Sequence, residues 1–362
     1  MMTIEVFAPG RIEILGNHTD YNEGMILSCA IPLGVRLRAT KTAIRELRIK
    51  TEAFDGQVVA GTRNPWAAQK EGHWSNYPLA VLQVLRDEGY DLPGMNIEIS
   101  STVPRGAGLS SSAALEVATA MAALALMDEK VDRSTVASWC RRAENDYVGV
   151  QCGLMDQASS MGGQVGSLVF LDCRTEKFVS EPFASNLVFV VMNSGVKHSL
   201  VGGEYNERRA QCFEAAKALG AKALRDVKED QVTSPPLTDV VRRRALHVVT
   251  ENERVLAAVE AMRAGHPEEL GLLMFDSHES SRVNFENSTR ELDLLVDIAK
   301  EVPGVLGARL TGGGFGGAIV ALARRDAAAD VRDTVRRRYQ DQSGNVSEGW
   351  ILAPHWGAQV AG

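Results

Sequence analysis

The sequence lacks the features that mark several common classes of protein. Its five cysteines are an odd number with no C-x-x-C pair, which disfavours disulfides and zinc sites and favours reduced thiols in a cytoplasmic protein. The longest mostly apolar run, residues 117–127, is too short to span a bilayer, so no membrane partner is expected. The N-terminus has no basic start followed by an apolar core, which disfavours a secretory signal. A Walker-type G-x-x-x-x-G-K-S/T loop is also absent, which disfavours the most common nucleotide-binding class.

Positive charge is scarce as well. Lys and Arg number 39 against 46 Asp and Glu, which leaves a formal net charge of −7. A net negative charge disfavours nucleic acid as the main partner. It does not conflict with a local basic site that binds phosphates. The remaining composition, 45% hydrophobic and 23% charged, is typical of a soluble globular protein. Because single cores usually stop growing at about 250–300 residues, the chain is expected to form two domains that share a cleft.

A turn rich in glycine and serine, residues 104–112, joins a strand-like segment to a long helix-like segment at 112–127. Gly106 and Gly108 let a backbone approach a polyphosphate, and the free N–H groups and dipole of a helix start favour an anion. The three serines that follow can cap the helix or bind a cation. The pattern is therefore compatible with a phosphate-binding loop and with an ordinary serine-capped helix start.

A cluster of polar residues follows a strand-like alternation near the N-terminus. Residues 17–22, Asn-His-Thr-Asp-Tyr-Asn, hold groups that donate and accept hydrogen bonds to neighbouring hydroxyls. A strand that delivers such a loop to a cleft suits a polyhydroxylated ligand. A solvated turn rich in Asn and Asp is the alternative.

Three further positions leave structural and chemical interpretations open. Asp156 follows Leu154 and Met155, where a solvated carboxylate is unusual, so it is either a paired structural acid or a group that does chemistry. Trp74, before a helix ending near residue 87, fills core or flanks a base, and the local pattern favours core. Arg244 and Glu251 are expected on the outer faces of a helical segment at 239–262.

Five glycines occur within residues 312–317. Such a run needs a backbone that approaches something closely or adopts positive φ repeatedly. Apolar, strand-like patterns lie on both sides of it, which predicts a buried turn and excludes a flexible linker.

Taken in order, these blocks resemble the GHMP kinase superfamily and, within it, the galactokinase family. Residues 10–22 are similar to the galactokinase signature, and residues 104–113 resemble the phosphate loop of the superfamily. Residues 152–157 resemble its catalytic-acid segment and residues 311–317 its third motif, while residues 193–198 with Glu204 and Tyr205 are also galactokinase-like. The resemblance implies an α+β fold of two domains, 1–180 and 181–362, with the active site in the cleft between them.

The resemblance also implies a reaction and a set of roles. The γ-phosphoryl group of ATP would pass to the anomeric hydroxyl of galactose, or of a related sugar such as galacturonate or N-acetylgalactosamine; a sensor that binds ATP and sugar without turnover is the third possibility. Asp156 would be the catalytic base and Arg11 its cationic partner. The implied sugar contacts are Asn17, His18, Asp20, Gly153 and Tyr205. The implied ATP contacts are Gly106, Ala107, Gly108, Leu109, Ser110, Ser111 and Ser112, with Trp74 beside the adenine.

Magnesium, by the same resemblance, would be held by Ser111 or Ser112 together with Glu144. The partners are then a small sugar and ATP, and a monomer is expected. Two positions depart from the family pattern: Asn17 stands where galactokinases usually have Glu, in contact with the hydroxyl on the sixth carbon, and Glu13 replaces the usual Asn. An amide both donates and accepts, so Asn17 would tolerate galactose with a weaker contact and would also suit a sugar that carries a carboxylate there.

Overall fold

The computed structural model describes residues 2–66, 72–104, 106–197, 201–233 and 237–361. Arg105 and His198, which belong to two of the predicted motifs, lie outside these residues. The strands in chain order are β1 (Thr3–Leu15), β2 (Met25–Thr42), β3 (Glu46–Thr51), β4 (Phe54–Gly61), β5 (Gly94–Ser101), β6 (Ser167–Asp172), β7 (Lys177–Pro182), β8 (Leu187–Lys197), β9 (Val305–Thr311), β10 (Gly316–Arg324), β11 (Gly349–Leu352) and β12 (Gln359–Ala361). The α-helices are α1 (Asn76–Asp87), α2 (Ser111–Leu126), α3 (Arg133–Arg142), α4 (Met155–Gly162), α5 (Val201–Ala218), α6 (Glu229–Val232), α7 (Asp239–Ala264), α8 (Pro267–Ser280), α9 (Arg290–Lys300) and α10 (Ala328–Ser343).

The strands form two sheets, which agrees with the expected mixture of helices and sheets. The first sheet has eight strands with the order β12-β1-β2-β5-β3-β4, and β6 and β7 extend it from β2. The second has four strands in the order β11-β8-β10-β9. The neighbouring strands run antiparallel except for β3 and β5, which are parallel.

Two features of the first sheet differ from the sequence-based expectation. Pro9 and Gly10 are residues that usually interrupt a strand, but β1 runs through them with a shift of register between Pro9 and Arg11. Proline has no N–H to donate, and a bulge lets the ladder resume beyond it. The domain boundary implied by the resemblance, between residues 180 and 181, falls within β7, which pairs with β6, and β12 brings the end of the chain back to β1.

Three of the long helices begin at a side-chain cap. Asp132, Thr238 and Thr289 accept hydrogen bonds from the first turns of α3, α7 and α9. The 26-residue helix α7 ends at Gly265, whose φ of 78° is the left-handed conformation that glycine adopts without strain. No helix in the described part of the chain is long and apolar enough to cross a bilayer.

The hydrophobic core is continuous from one sheet to the other. Helices α1, α2 and α3 pack on the first sheet around residues such as Leu37 and Val117. A second cluster joins the two sheets, since Ile12 of β1 and Phe189 of β8 share it with Met274 of α8. This arrangement places the end of β1, the start of α2, α4 and the turn between β9 and β10 beside one another.

Candidate active site

A cavity of about 590 Å³ opens where these elements meet. A larger concavity, of about 760 Å³, lies elsewhere, and none of the predicted site residues lines it. The smaller cavity contains both predicted catalytic residues and the five predicted sugar contacts. Its lining includes Arg11, Glu13, Asn17, His18, Asp20, Glu144, Cys152, Gly153, Asp156, Tyr205 and Gly313.

Asp156 forms an ion pair with Arg11 at one side of this cavity. The Arg11 Nε donates to Asp156 Oδ1 at 2.8 Å, and a second guanidinium nitrogen donates to the carbonyl oxygen of Gly108 at 2.7 Å. The Arg11 side chain is buried, whereas 26% of the Asp156 side chain is exposed. Asp156 lies in the first turn of α4, where the helix dipole favours a carboxylate. It is therefore both a paired acid and one that remains accessible to a ligand.

Ser110 connects this ion pair to the phosphate loop. Its hydroxyl donates to Asp156 Oδ2 at 2.5 Å and makes no capping hydrogen bond to α2. The interpretation as an ordinary serine-capped helix start is therefore wrong for Ser110. Because this cap is missing, the N–H groups of the first turn remain available to donate hydrogen bonds to an anion.

The phosphate loop reaches the site through backbone contacts with β1. The peptide N–H of Arg11 donates to the carbonyl oxygen of Leu109 at 3.2 Å. A side chain at Gly10 would place its Cβ only 2.4 Å from that same oxygen. Ala107 and Leu109 bury their side chains in the core between the sheets, so only their backbone groups face a ligand. Gly108 has a φ of 70°, and Ser111 is exposed at the start of the helix.

The glycine-rich turn between β9 and β10 is only partly buried: Gly312, Phe315 and Gly316 are buried, whereas Gly313 is exposed and lines the cavity. Gly312 and Gly314 have φ values of 78° and 80°, and Phe315 is 6% exposed. A Cβ on Gly314 would lie 2.3 Å from the carbonyl oxygen of Asn287, which also accepts a hydrogen bond from the Phe315 N–H. The turn therefore packs against the segment that follows α8.

Asn17 lines the cavity, but its amide group is held by the protein. Nδ2 donates to Glu13 at 3.1 Å and to the carbonyl oxygen of Gly312 at 2.8 Å, and Oδ1 accepts from Asn287 at 2.8 Å. Glu13 also accepts from the N–H of Gly312 and lies 3.5 Å from Arg309. Burial raises the pKa of Glu13, while the charge of Arg309 opposes that shift. The two residues that depart from the family pattern are thus direct partners.

His18 is likewise engaged by its neighbours. Burial lowers its pKa to about 4, so the ring is neutral near pH 7. Nε2 lies 3.0 Å from the carbonyl oxygen of Gly313, which can only accept, so Nε2 carries the proton and Nδ1 accepts from Tyr21 at 2.7 Å. The ring packs between Tyr205 and Phe285, with centroids 5.1 and 4.5 Å away. His18 therefore forms an aromatic wall of the cavity.

Asp20, Gly153 and Tyr205, the other predicted sugar contacts, also line the cavity. A Cβ on Gly153 would lie 2.0 Å from an Asp20 carboxylate oxygen, so this position accommodates Asp20 only as glycine. Burial, together with the charge of Asp156, raises the pKa of Asp20 to about 6. Burial also raises the pKa of Tyr205, which keeps its hydroxyl protonated. A carboxylate and a phenol are suitable partners for sugar hydroxyls.

Glu144 lies on the turn of π-helix Ala143–Val148 that extends α3. One carboxylate oxygen accepts from Gln157 at 2.9 Å and from the Cys152 thiol at 3.2 Å. Burial, with the charge of Asp156, raises its pKa to about 7. Gln157 also donates to Glu116 at 2.9 Å, a fully buried acid that sequence reasoning did not identify.

Ser111, Ser112 and Glu144 offer oxygen ligands of the kind that magnesium prefers. Burial and the charge of Asp156 raise the pKa of Glu144 and so disfavour its ionised form. A cation bound nearby would favour the ionised form instead. Within the described ranges, no group of three His, Cys, Asp or Glu side chains is arranged to hold a metal ion. Nucleotide oxygens would therefore have to complete the coordination.

Trp74 is half-buried just before α1 and packs against the core of the first sheet. Its ring is parallel to that of Phe54, with an interplanar angle of 2° and centroids 6.4 Å apart. This packing agrees with the core position that the local sequence favoured for Trp74. The contact of Trp74 with adenine remains a prediction.

The expectation for the outer face of α7 was wrong for two residues. Arg244 is 2% exposed and Glu251 is fully buried. Glu251 instead accepts hydrogen bonds from the backbone of the loop that carries Asn17 and His18. Helical periodicity places residues on faces, but it does not say which face a second domain will cover. The spacing of His247 and Glu251, four residues apart on one face, was the available signal.

Three family descriptions match the chain. Residues 76–164 match the GHMP kinases N terminal domain, residues 258–341 match GHMP kinases C terminal, and residues 3–41 match the galactokinase galactose-binding signature. These three regions contain the phosphate loop, the third motif and the polar cluster at 17–22, respectively.

Curated relatives and solved structures match over almost the full length. A galactokinase of Haemophilus influenzae is 40% identical over 99% of this chain and 94% of its own, and one of Pasteurella multocida is 40% identical over 99% and 95%. The crystal structure of Lactococcus lactis galactokinase complexed with galactose superposes with a TM-score of 0.94 at 31% identity, covering 99% of this chain and 95% of that one. A mevalonate kinase with 18% identity and a TM-score of 0.65 shares the fold. This chain therefore belongs to the galactokinase family within the GHMP kinases, and it is a sugar kinase, a type of phosphotransferase.

Proposed function

We propose that this protein transfers the γ-phosphoryl group of ATP to the anomeric hydroxyl of galactose. The observation that carries the proposal is the Arg11–Asp156 ion pair, which borders both the start of α2 and the cavity that contains Asp20 and Tyr205. A phosphate-binding helix start and a set of sugar-binding side chains thus meet at one accessible carboxylate. The galactose-binding signature at residues 3–41 supports the choice of sugar.

In this proposal Asp156 accepts the proton of the attacking hydroxyl. The Arg11 guanidinium pairs with the carboxylate and stabilises the charge that develops on the transferred phosphoryl group. Gly106, Gly108 and the uncapped start of α2 hold the phosphates, with Ala107 and Leu109 contributing backbone groups. Phosphoryl transfer depends mainly on positioning and electrostatics, so no covalent intermediate is needed.

Magnesium is the proposed cofactor, held by Ser111 or Ser112 and by Glu144. When bound, it supplies positive charge that neutralises the phosphate oxygens. Gln157 and Cys152 orient the Glu144 carboxylate through the hydrogen bonds they donate to it. We further propose a cytoplasmic monomer; the five free cysteines support a reducing compartment.

The alternative of a uronate substrate rested on a free amide at Asn17. That amide is directed at Glu13, Gly312 and Asn287. Among the described residues that line the cavity, four are carboxylic acids and Arg11 is the one permanent cation, which disfavours a sugar that carries its own carboxylate. Galactose is therefore preferred over galacturonate.

The test is an ADP-release assay at fixed ATP with galactose, galacturonate, N-acetylgalactosamine and glucose. We expect galactose to give the highest kcat/KM. A poor rate with galactose beside a high rate with one of the other sugars would reassign the substrate, and no turnover with any of them would favour the ligand sensor.

A further inference from the structure

The loop that carries the proposed sugar contacts has an unusual backbone. We define the sugar loop as residues 16–25, which connect β1 to the first residue of β2. Gly16 has a φ of 101°, and His18 and Glu23 adopt the left-handed region with φ values of 60° and 56°. A non-glycine residue in that region costs about 1–3 kcal/mol and persists only where its surroundings hold it.

A buried carboxylate of α7 holds the start of the sugar loop. Glu251 Oε1 accepts from the N–H of Gly16 at 2.9 Å and from the N–H of Asn17 at 3.3 Å. The same oxygen accepts from the Ser277 hydroxyl of α8 at 2.7 Å. Both loop contacts are to the backbone, so they set the path of the chain and occupy none of the side chains that face the cavity.

Two neighbours of Glu251 on α7 hold the same loop. His247 Nε2 donates to the carbonyl oxygen of Asn17 at 3.2 Å, while Ser280 contacts its other ring nitrogen. Asn252 Oδ1 accepts from the N–H of Met25 at 2.9 Å. Residues 247, 251 and 252 therefore form a polar row along one helix, and the row contacts both ends of the sugar loop.

The charge of Glu251 is compensated inside the protein. Arg254 Nε donates to its second oxygen at 2.7 Å. Burial would raise the pKa of Glu251, but the positive charges of Arg254 and Arg309 outweigh burial and hold the pKa well below its usual range. The group is thus an ionised acceptor that binds several donors at once, a function that an amide cannot fully replace.

We infer that Glu251 is a positioning residue for sugar binding, which fixes the backbone of the sugar loop so that His18 and Asp20 face the cavity. This inference deepens the proposed function, since it concerns the sugar end of the same site. Glu251 does not line the cavity, and neither do His247 and Asn252. Its effect on the sugar is therefore indirect and passes through Gly16 and Asn17.

The test compares Glu251→Gln with two control variants on the same helix. Because misplacing a binding group by about 1 Å can cost two orders of magnitude, we expect the KM for galactose to rise at least about tenfold in Glu251→Gln while the KM for ATP changes less than about twofold. Calorimetric titration with galactose alone should show the same loss. Glu253→Gln changes an exposed acid and should alter neither KM.

Val255→Ala separates positioning from general destabilisation. Val255 is fully buried in the core and touches no residue of the sugar loop through a hydrogen bond, so its truncation should lower Tm and leave the KM for galactose unchanged. Ser277→Ala removes one hydrogen-bond donor to Glu251 and should raise the galactose KM about threefold. If Glu251→Gln does not fold, this rise in KM becomes the test of the inference.

An unchanged galactose KM in a folded Glu251→Gln, or in Ser277→Ala when Glu251→Gln does not fold, would overturn the inference. An equal rise in the KM for ATP and for the sugar would overturn it too. If the parent protein prefers another sugar, the proposed substrate fails by itself, and the same comparison is made with the preferred sugar.

Discussion

The phosphate loop and the sugar loop, at the two ends of the cavity, differ in how many of their polar groups remain available to a ligand. At the phosphate loop, Ser110 and Arg11 contact Asp156 but leave its carboxylate partly exposed, and the start of α2 has no side-chain cap. At the sugar loop, Asn17 and His18 have their polar atoms engaged by the protein. The first end keeps groups open for a ligand, whereas the second uses its polar groups to hold a strained backbone in place.

This difference assigns two kinds of role within one site. We expect the groups that remain open to act directly on substrate, so their removal should affect kcat most. Groups that are saturated position their neighbours, and their removal should affect sugar affinity or stability. The following predictions test that division.

The largest effect is expected at the open end. Asp156→Ala removes the proposed base and should lower kcat by at least about 10³-fold, within the usual range for loss of a positioned acid or base. Asp146→Ala, which removes an exposed acid near Glu144, is the matched control and should keep the parental rate. The measurement is ADP release at saturating galactose and ATP. A loss of less than about tenfold would show that Asp156 is not the base.

A large effect on stability is expected at the saturated end. Asn17→Glu restores the residue that the family usually has, but it places a second carboxylate against buried Glu13. An uncompensated buried charge costs about 3 kcal/mol or more, and the variant should lose that much stability. The double variant Glu13→Asn/Asn17→Glu keeps one acid and one amide and should regain at least half of the loss.

Urea unfolding of the two single variants and the double variant measures this coupling as a double-mutant cycle. Strictly additive losses would mean that Glu13 and Asn17 do not act as a pair. If Asn17→Glu alone keeps the parental stability, the hydrogen bonds that the protein makes to the Asn17 amide do not contribute to folding as proposed.

A moderate effect is expected at the sugar end, where Gly153 packs against Asp20. Gly153→Ala places a Cβ against Asp20 and should displace its carboxylate. We expect the galactose KM to rise about tenfold and the ATP KM to stay within about twofold, since one displaced hydrogen-bonding partner costs about 1–2 kcal/mol. Gly61→Ala, where a Cβ meets open space, is the control. Parallel changes in both KM values would place the disturbance outside the sugar end.

The smallest effect concerns pH. Burial raises the pKa of Asp20 to about 6, so the group is ionised above that pH and protonated below it. If the ionised carboxylate binds the sugar, galactose affinity should fall about fourfold between pH 7.5 and pH 5.5. Calorimetric titration with galactose measures this affinity. Glu144, whose pKa is raised to about 7, also titrates within this range, so the Asp20→Asn variant is needed to separate the two groups. Asp20→Asn should bind galactose weakly and without this pH dependence, and an identical pH profile in that variant would assign the titration to another group.

Much of the site could be predicted from short motifs. Residues 104–112 predicted a turn before a helix, and residues 312–317 predicted a turn between strands, because glycine-rich backbone between apolar segments has few other conformations. The pairing of Arg11 with Asp156, implied by the family resemblance, agrees with the 2.8 Å contact. These features depend on local sequence or on a pattern that a family shares.

Other features could not be predicted because they depend on contacts between distant segments. Helix α4 and strand β7 were missed, since both are short and carry polar residues that resemble loop sequence. Glu251 was placed on an outer face, because charge on a helix usually indicates solvent. The loop that it contacts lies more than 200 positions earlier, and the one local signal, the spacing of His247 and Glu251 on one helix face, does not identify that partner.

The sequence by itself determined the two glycine-rich turns, the helices α1, α2 and α7, and the family to which the chain belongs. These follow from backbone preferences and side-chain periodicity within a few residues. Only the tertiary structure decided that Asn17 faces Glu13 and that Glu251 holds the sugar loop. Such contacts exist because packing two sheets together removes these polar groups from water, and each group must then find its partner in whichever segment lies against it.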